Sequence, residues 1–226
     1  MNEVFLIAEI GLIHNTSLEY AKEAIRVAKE SGADIVKSQA GLAKDLKGSM
    51  PIEWYEQRQL NPMQCIALIQ YARDIGTDLF FSIFSKEYDG LRSVQKWHKW
   101  SANQTASSPR QVERQDRMNV IASIKPMSMF PRLGFANVLY ACPYLADDPN
   151  ISYIQFLTEY YGRQCGYSDH TIGVDWCIRA QQIYGAKIIE KHFTLTRDVY
   201  HNGVQMRDAI HGALPSEFEQ LARKVK

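Results

Sequence analysis

Short apolar segments alternate with helix-forming segments along the whole chain, and this alternation constrains the fold more than any other feature. The first apolar segment, residues 4–10, precedes a helical pattern that starts near Leu18 and ends at Gly32. The further predicted strands cover residues 35–39, 79–84, 97–101, 119–123 and 137–142, a segment that ends at His170, and residues 187–192. Strands and helices in this order predict a (β/α)8 TIM barrel, formed by residues 1–226 as a single α/β domain. A doubly wound open sheet is the alternative, but the chain lacks its GxGxxG fingerprint.

Several helix boundaries carry capping signals. Thr16 and Glu19 form a capping-box pattern, in which the two side chains satisfy free amides at the start of a helix. Asparagine or serine followed by proline is typical of a helix start, since proline fits the first helical position. Further helices are predicted to begin at Asn61-Pro62 and Ser108-Pro109 and to cover residues 151–161 and 174–184.

The composition favours a protein that acts on small molecules. The 226 residues are 46% hydrophobic and carry a formal net charge of +1, with no acidic tail or basic arm that would indicate nucleic acid or a membrane surface. No apolar stretch approaches the about 20 residues that span a bilayer, and the first apolar segment is too short for a signal peptide. The four cysteines form no CxxC pair, so we expect reduced thiols and a cytoplasmic protein.

Polar side chains stand where the predicted strands end. In a parallel barrel these ends form the face that carries the active site. Because successive side chains of a strand point to opposite faces, Ser168 and His170 share one side of their strand, and Glu190 and His192 share one side of the next. The full series is Glu9, Lys37, Ser82, Lys99, Ser123, Lys125, Tyr144, Ser168, His170, Glu190 and His192.

The lysines of this series predict an anion site. A single lysine at a strand end is usually a surface side chain, but several at successive ends are typical of a phosphate site. Lys37 and Lys99 would supply point charges, and Ser82 and Ser168 short hydroxyl donors. Lys125 either joins this set or lies outside it.

The two histidines predict a metal site. Either one alone would usually be a hydrogen-bonded core residue, whereas His170 and His192 on adjacent strands resemble a ligand pair. Two imidazoles without a thiolate leave positions for water or substrate, which favours an open octahedral site for a divalent metal such as Mn²⁺, with Mg²⁺ or Co²⁺ as alternatives. Glu9 and Asp208 are the carboxylates expected nearby.

Five sequence blocks resemble the N-acetylneuraminate (sialic acid) synthase family. The most specific are the first block, Ile7 to Gly11, and the last, Gly185 to Leu195, which contains Glu190-Lys191-His192. The others are His14-Asn15, residues 29–39 and residues 166–173. The blocks follow the family's order along nearly the whole chain.

This resemblance implies a barrel enzyme that condenses phosphoenolpyruvate with an N-acyl amino sugar and releases phosphate, forming a nonulosonic acid. His170 and His192 would bind a divalent metal that polarises the sugar aldehyde. The implied catalytic residues are Glu9, Asp208 and Tyr144, and the implied phosphoenolpyruvate ligands are Lys37, Ser82, Lys99 and Ser168. A homodimer is also implied, because family members cap the partner's site with a C-terminal antifreeze-like domain, which we do not find before Lys226.

The chain departs from the family pattern on the sugar side. Ala102 replaces a serine that contacts phosphate, and Gln104 replaces a carboxylate on the substrate side. The family's aspartate and histidine after the eighth strand correspond loosely to Asp208 and His211. Two alternatives therefore stay open: another barrel enzyme on a phosphorylated sugar, such as an aldolase or isomerase, and a barrel that binds phosphosugars without catalysis.

Overall fold

The computed structural model describes residues 4–12, 17–46, 50–127, 129–201 and 203–226. Eight parallel strands form a closed barrel in sequence order, β1 next to β2 and β8 next to β1. The predicted (β/α)8 barrel is therefore confirmed. The barrel strands are β1 Phe5–Gly11, β2 Ile35–Ala40, β3 Leu79–Ile83, β4 His98–Trp100, β5 Val120–Ile124, β6 Asn137–Ala141, β7 Gly166–Asp169 and β8 Ile188–His192.

Helices cover the outside of the barrel and pack on the outward side chains of the strands. Their bounds are α1 Leu18–Glu30, α2 Ile52–Glu56, α3 Pro62–Asp74, α4 Ala102–Ser107, α5 Pro109–Arg114, α6 Tyr153–Tyr161, α7 Asp175–Tyr184, α8 Arg207–Ile210 and α9 Pro215–Val225. Short 3₁₀ helices cover Ala43–Asp45 and Lys86–Ser93, and a two-stranded hairpin, β9 Tyr200–His201 and β10 Val204–Gln205, follows β8.

Some helix boundaries differ from those predicted. The first helix is capped by Ser17, whose hydroxyl accepts from the amide of Tyr20; the predicted cap, Thr16, lies outside the described residues. The helix expected from Ser108 is preceded by α4, because Ser108 leaves the helical region and Pro109 starts a new helix. The Asn61 cap of α3 is present as predicted, with Gln64 completing a capping box.

Inward side chains fill the barrel in two zones. The lower zone is apolar and contains Ile7, Ile35, Phe80, Ile121 and Leu139, with Phe5, Trp97 and Ile188 packed against them. Two residues further along the strands, the inward positions become polar: Glu9, Lys37, Ser82, Lys99, Ser123 and Glu190. The pleat repeats every two residues, so the apolar floor places these polar groups at the carboxyl ends of the strands.

Candidate active site

A cavity of about 480 Å³ opens at the carboxyl ends of the strands, directly above the polar zone. Its size is within the range of about 300–1,000 Å³ found for small-molecule sites. The predicted sharing of one side by Ser168 with His170, and by Glu190 with His192, is confirmed because all four side chains line it. The other lining residues include Lys37, Ser82, Lys99, Ala102, Ser123, Lys125 and Tyr144.

Glu190 is the centre of a buried polar network. Its Oε2 lies 2.9 Å from the Nζ of Lys99 and 3.8 Å from the Nζ of Lys37, while its Oε1 accepts a 2.9 Å hydrogen bond from Ser168. Burial alone would raise the pKa of Glu190, but the two ammonium groups outweigh it and lower the pKa to about 2. Glu190 is therefore a carboxylate at neutral pH.

Glu9 and Lys37 form a second buried ion pair beside the first. Lys37 Nζ contacts Glu9 Oε2 and lies 3.4 Å from Ser82 Oγ, and Gly11 donates its amide to Glu9 Oε1 at 2.7 Å. Burial raises the pKa of Glu9 to about 7, even though Lys37 opposes the shift. Glu9 thus exists in both protonation states near neutral pH, which suits a group that gives or takes a proton.

His170 is held in one tautomer by the backbone. Its Nδ1 lies 3.0 Å from the carbonyl oxygen of Cys142, which can only accept, so Nδ1 carries the hydrogen and Nε2 carries the lone pair. Burial lowers the pKa of His170 to about 4. The ring is therefore neutral at pH 7, as a metal ligand must be.

His170, Asp208 and His211 lie around His192. His192 has a ring centroid 5.5 Å from that of His170 and 4.4 Å from that of His211. Burial holds the pKa of His192 well below its ordinary range, and both neighbouring imidazoles lower it further. Ligand atoms of His192, Asp208 and His211 all lie within 4.8 Å of one another. The site thus gathers more potential metal ligands than the predicted pair.

A buried ion pair lies on the side of β7 and β8 that faces away from the cavity. Asp169 and Lys191 precede His170 and His192 and face away from the cavity, and their charged atoms lie 2.6 Å apart with both side chains fully buried. Lys191 also donates to the carbonyl oxygen of Thr171, and the amide of Thr171 donates to Asp169. These bonds fix the chain on both sides of His170.

Tyr144 and Lys125 lie at the rim of the cavity. The Tyr144 ring centroid is 4.4 Å from that of His170 and 5.5 Å from that of His211, so its ring covers the histidine cluster. Lys125, which follows β5, also lines the cavity and donates to Asn103 Oδ1 at 2.7 Å. Lys125 therefore joins the predicted cationic set at the edge rather than in the buried layer.

The two departures on the sugar side have different surroundings. Ala102 lines the cavity, as expected of a position that faces substrate. Gln104 instead caps α4 through the amide of Ser101 and donates to the carbonyl oxygen of Ile83 at 2.9 Å. Its side chain is therefore used within the protein and does not replace a carboxylate in the cavity. His14-Asn15 lies outside the described residues.

Two residues in the site received no role from the sequence. Glu190 stood in the polar series, and its place two residues before His192 was the available signal. His211 stood three residues after Asp208, but nothing local indicates that this loop returns to the end of β8.

In the described parts of the chain, no helix is both long and apolar enough to span a membrane. All four cysteines are free thiols.

The model of the NeuB family matches residues 136–226, which contain β6 to β8 and the cluster around His192. N,N'-diacetyllegionaminic acid synthase from Campylobacter jejuni is 26% identical over 100% of this chain and 76% of its own length. Human N-acetylneuraminate-9-phosphate synthase is 26% identical over 98% of this chain and 69% of its own length. The solved N-acetylneuraminic acid synthetase of Leptospira borgpetersenii has the same fold, with a TM-score of 0.84, 23% identity, and coverage of 99% of this chain and 83% of that one.

Proposed function

We propose that the chain is a NeuB-like synthase, as its sequence blocks indicate, and that it condenses phosphoenolpyruvate with an N-acyl amino sugar to give a nonulosonic acid and phosphate. The observation that carries this proposal is the pair of buried lysines in the wall of the cavity, Lys37 and Lys99, next to the hydroxyls of Ser82 and Ser168. Fully buried lysines are rare unless they are paired or used. Here both are paired with buried carboxylates, and both also line the open cavity, where an anionic substrate can reach them.

Phosphoenolpyruvate suits this wall chemically. Its phosphate and carboxylate need cations and short donors, which the two lysines and the serine hydroxyls supply. Within the described chain, the buried hydroxyl of Ser123 has no hydrogen-bond partner, and it lines the same cavity. A buried hydroxyl without a partner is costly, so a substrate oxygen would stabilise it.

The chemistry of the histidine side suits a divalent metal. His170 presents the lone pair of Nε2 and His192 is held neutral, and both line the same cavity as the lysines. We propose that these imidazoles hold Mn²⁺, or alternatively Mg²⁺ or Co²⁺. The metal would supply Lewis acidity toward the sugar aldehyde. The lysines would meanwhile hold phosphoenolpyruvate.

Glu9 is the proposed acid–base group. Its pKa of about 7 lets it orient water as a carboxylate or give a proton as an acid, and it contacts Lys37, which would also contact phosphoenolpyruvate. Asp208 lies on the same side, since a Cβ built on Gly11 would be 3.4 Å from its Oδ2 and 3.6 Å from Glu9 Oε1. Tyr144 would cover the sugar end.

We propose that the enzyme is cytoplasmic and homodimeric. The free buried thiols suit the reducing cytoplasm.

The test is a phosphate-release assay with phosphoenolpyruvate, Mn²⁺ and a panel of N-acyl hexosamines. We expect release with at least one sugar, loss of release with a chelator, and a nine-carbon acid as product. Lys96→Met is a matched control, because Lys96 pairs with Asp78 outside the cavity. If no sugar gives metal-dependent release, the proposal is wrong, and calorimetric binding of phosphoenolpyruvate would then favour a binding barrel.

One observation favours an aldolase as a second candidate. Burial lowers the pKa of Lys99, although Glu190 opposes the shift, and a lysine that loses its proton readily can form a Schiff base. Borohydride trapping with phosphorylated sugars separates the two functions. A covalent adduct on Lys99 would support the aldolase, whereas the synthase forms none.

A further inference from the structure

The carboxylate and two histidines around the end of β8 converge because the chain doubles back there. The amide of Ala213 donates to the carbonyl oxygen of His192 at 2.7 Å, and the amide of Thr194 donates to that of Ala213 at 3.0 Å. This short parallel contact places His211 next to His192, with ring centroids 4.4 Å apart. Residues far apart in sequence thus share one point in the barrel mouth.

Asp208 joins the same point through helical spacing. It lies in α8 and His211 follows that helix, three residues further on, so both side chains leave from one face. The turn closes tightly at Gly212, where a Cβ would be 2.8 Å from the carbonyl oxygen of Asp208 and 2.9 Å from Thr194 Cγ2. Glycine therefore allows the helix end to lie against the strand.

We propose that Asp208 and His211 join His170 and His192 in binding the divalent metal, so that two of its ligands come from the loop after β8. The ligand atoms of His192, Asp208 and His211 lie within 4.8 Å of one another, which one ion can bridge. Three imidazoles and one carboxylate leave two positions of an octahedral ion open for substrate. The inference rests on the proposed function for its metal requirement and adds two ligands to the pair that the resemblance implies.

The surroundings favour a cation at this point. Glu9 and Asp208 lie near one point, because a Cβ built on Gly11 would be 3.6 Å from Glu9 Oε1 and 3.4 Å from Asp208 Oδ2. Adjacent carboxylates repel one another in a buried site, and a divalent ion offsets that repulsion. The ring of Tyr144, 5.5 Å from that of His211, lies over the cluster. His170, whose ring centroid is 5.8 Å from that of His211, would complete the ligand set from the end of β7.

Mn²⁺ titration of the metal-free protein, without substrates, tests the ligand set. We expect His211→Ala and Asp208→Asn each to weaken Mn²⁺ binding at least about tenfold, the scale on which even outer ligand partners act. His98→Ala is the matched control, because His98 begins β4 at the opposite end of the barrel, and it should bind as the parent does. Parent-like affinity of both His211→Ala and Asp208→Asn would overturn the assignment.

A second measurement covers the case in which a variant fails to fold. Pulsed electron paramagnetic resonance of bound Mn²⁺ in the unaltered protein, with ¹⁵N-labelled histidine, reports how many imidazoles coordinate the ion. Conservative His211→Gln, checked for folding by circular dichroism, should remove one imidazole from the ion. An unchanged imidazole signal in folded His211→Gln would contradict the proposal.

The outcomes separate this inference from the proposed function. If both loop variants lose Mn²⁺ affinity but the parent protein releases no phosphate with any sugar, the metal site stands and the synthase assignment falls. If phosphate release depends on Mn²⁺ while both loop variants bind it normally, the synthase stands and the ligand set is wrong.

Discussion

The Nζ of Lys99 lies 2.9 Å from Oε2 of Glu190, and both side chains are buried in the polar zone of the barrel. The pair joins β4 to β8 across the interior, since these strands are not neighbours in the sheet. An anionic substrate must therefore share Lys99 with Glu190. This relationship should therefore limit how strongly the cavity attracts an anion.

Replacing Lys99 by methionine should weaken phosphoenolpyruvate binding at least about tenfold, because a hydrogen bond to a charged group contributes about 1.5–3 kcal/mol. Isothermal titration calorimetry measures the dissociation constant directly. Lys125→Met should have a smaller effect, since Lys125 lies at the rim and is already bonded to Asn103. Equal losses for both variants would show that Lys99 has no special part in binding.

Glu9 should make the stability of the protein pH-dependent. Its pKa is raised from the ordinary 4.5 to about 7 in the folded protein, so between these values the folded state holds a proton that the unfolded state releases. The free energy of unfolding should therefore fall as pH rises from 4.5 to 7, relative to Glu9→Gln, and the difference should level off above 7. Denaturant titrations of both proteins across this range measure it; a difference that grows with pH in favour of the parent protein contradicts the sign.

The ion pair of Asp169 and Lys191 should be a major contributor to the free energy of unfolding. Removing one partner, as in Lys191→Met, leaves a buried charge unpaired, which costs about 3–5 kcal/mol. Lys96→Met breaks the more exposed pair with Asp78 and should cost no more than about 1 kcal/mol. Urea denaturation compares the two. Similar small losses would mean that the buried pair is not needed to hold the segment around His170.

Gly166 should tolerate no side chain. It faces the barrel interior at the start of β7, where a Cβ would lie 2.3 Å from the carbonyl oxygen of Ile188. Gly166→Ala should therefore destabilise the protein by at least about 1–3 kcal/mol, the usual cost of overpacking. Gly90→Ala is the matched control, because no atom lies within 4 Å of its added Cβ. Equal thermal midpoints for the two variants would contradict the prediction.

Short sequence patterns predicted the barrel well because each of its strands and helices is formed by residues that are close in sequence. The strands at residues 35–39 and 187–192 lie within one residue of β2 and β8 as observed, since apolar runs and two-residue alternation record burial directly. Helix ends were less certain. The cap of α1 is Ser17, one residue after the predicted position, and α4 was not predicted, because neighbouring polar residues compete for the same capping role.

The sequence by itself predicted that Lys37, Lys99, Ser168, His170 and His192 face one cavity, because strand parity and the order of strands in a parallel barrel place these side chains at the same end and on the inner side. Only the tertiary structure decided which of these groups pair. Glu190 pairs with Lys99 and so links β8 to β4. Gln104 caps a helix and does not line the cavity, and the loop after β8 brings the ring of His211 next to that of His192. Such contacts depend on how the barrel closes and on where a loop folds back, and neither is recorded in the residues next to them.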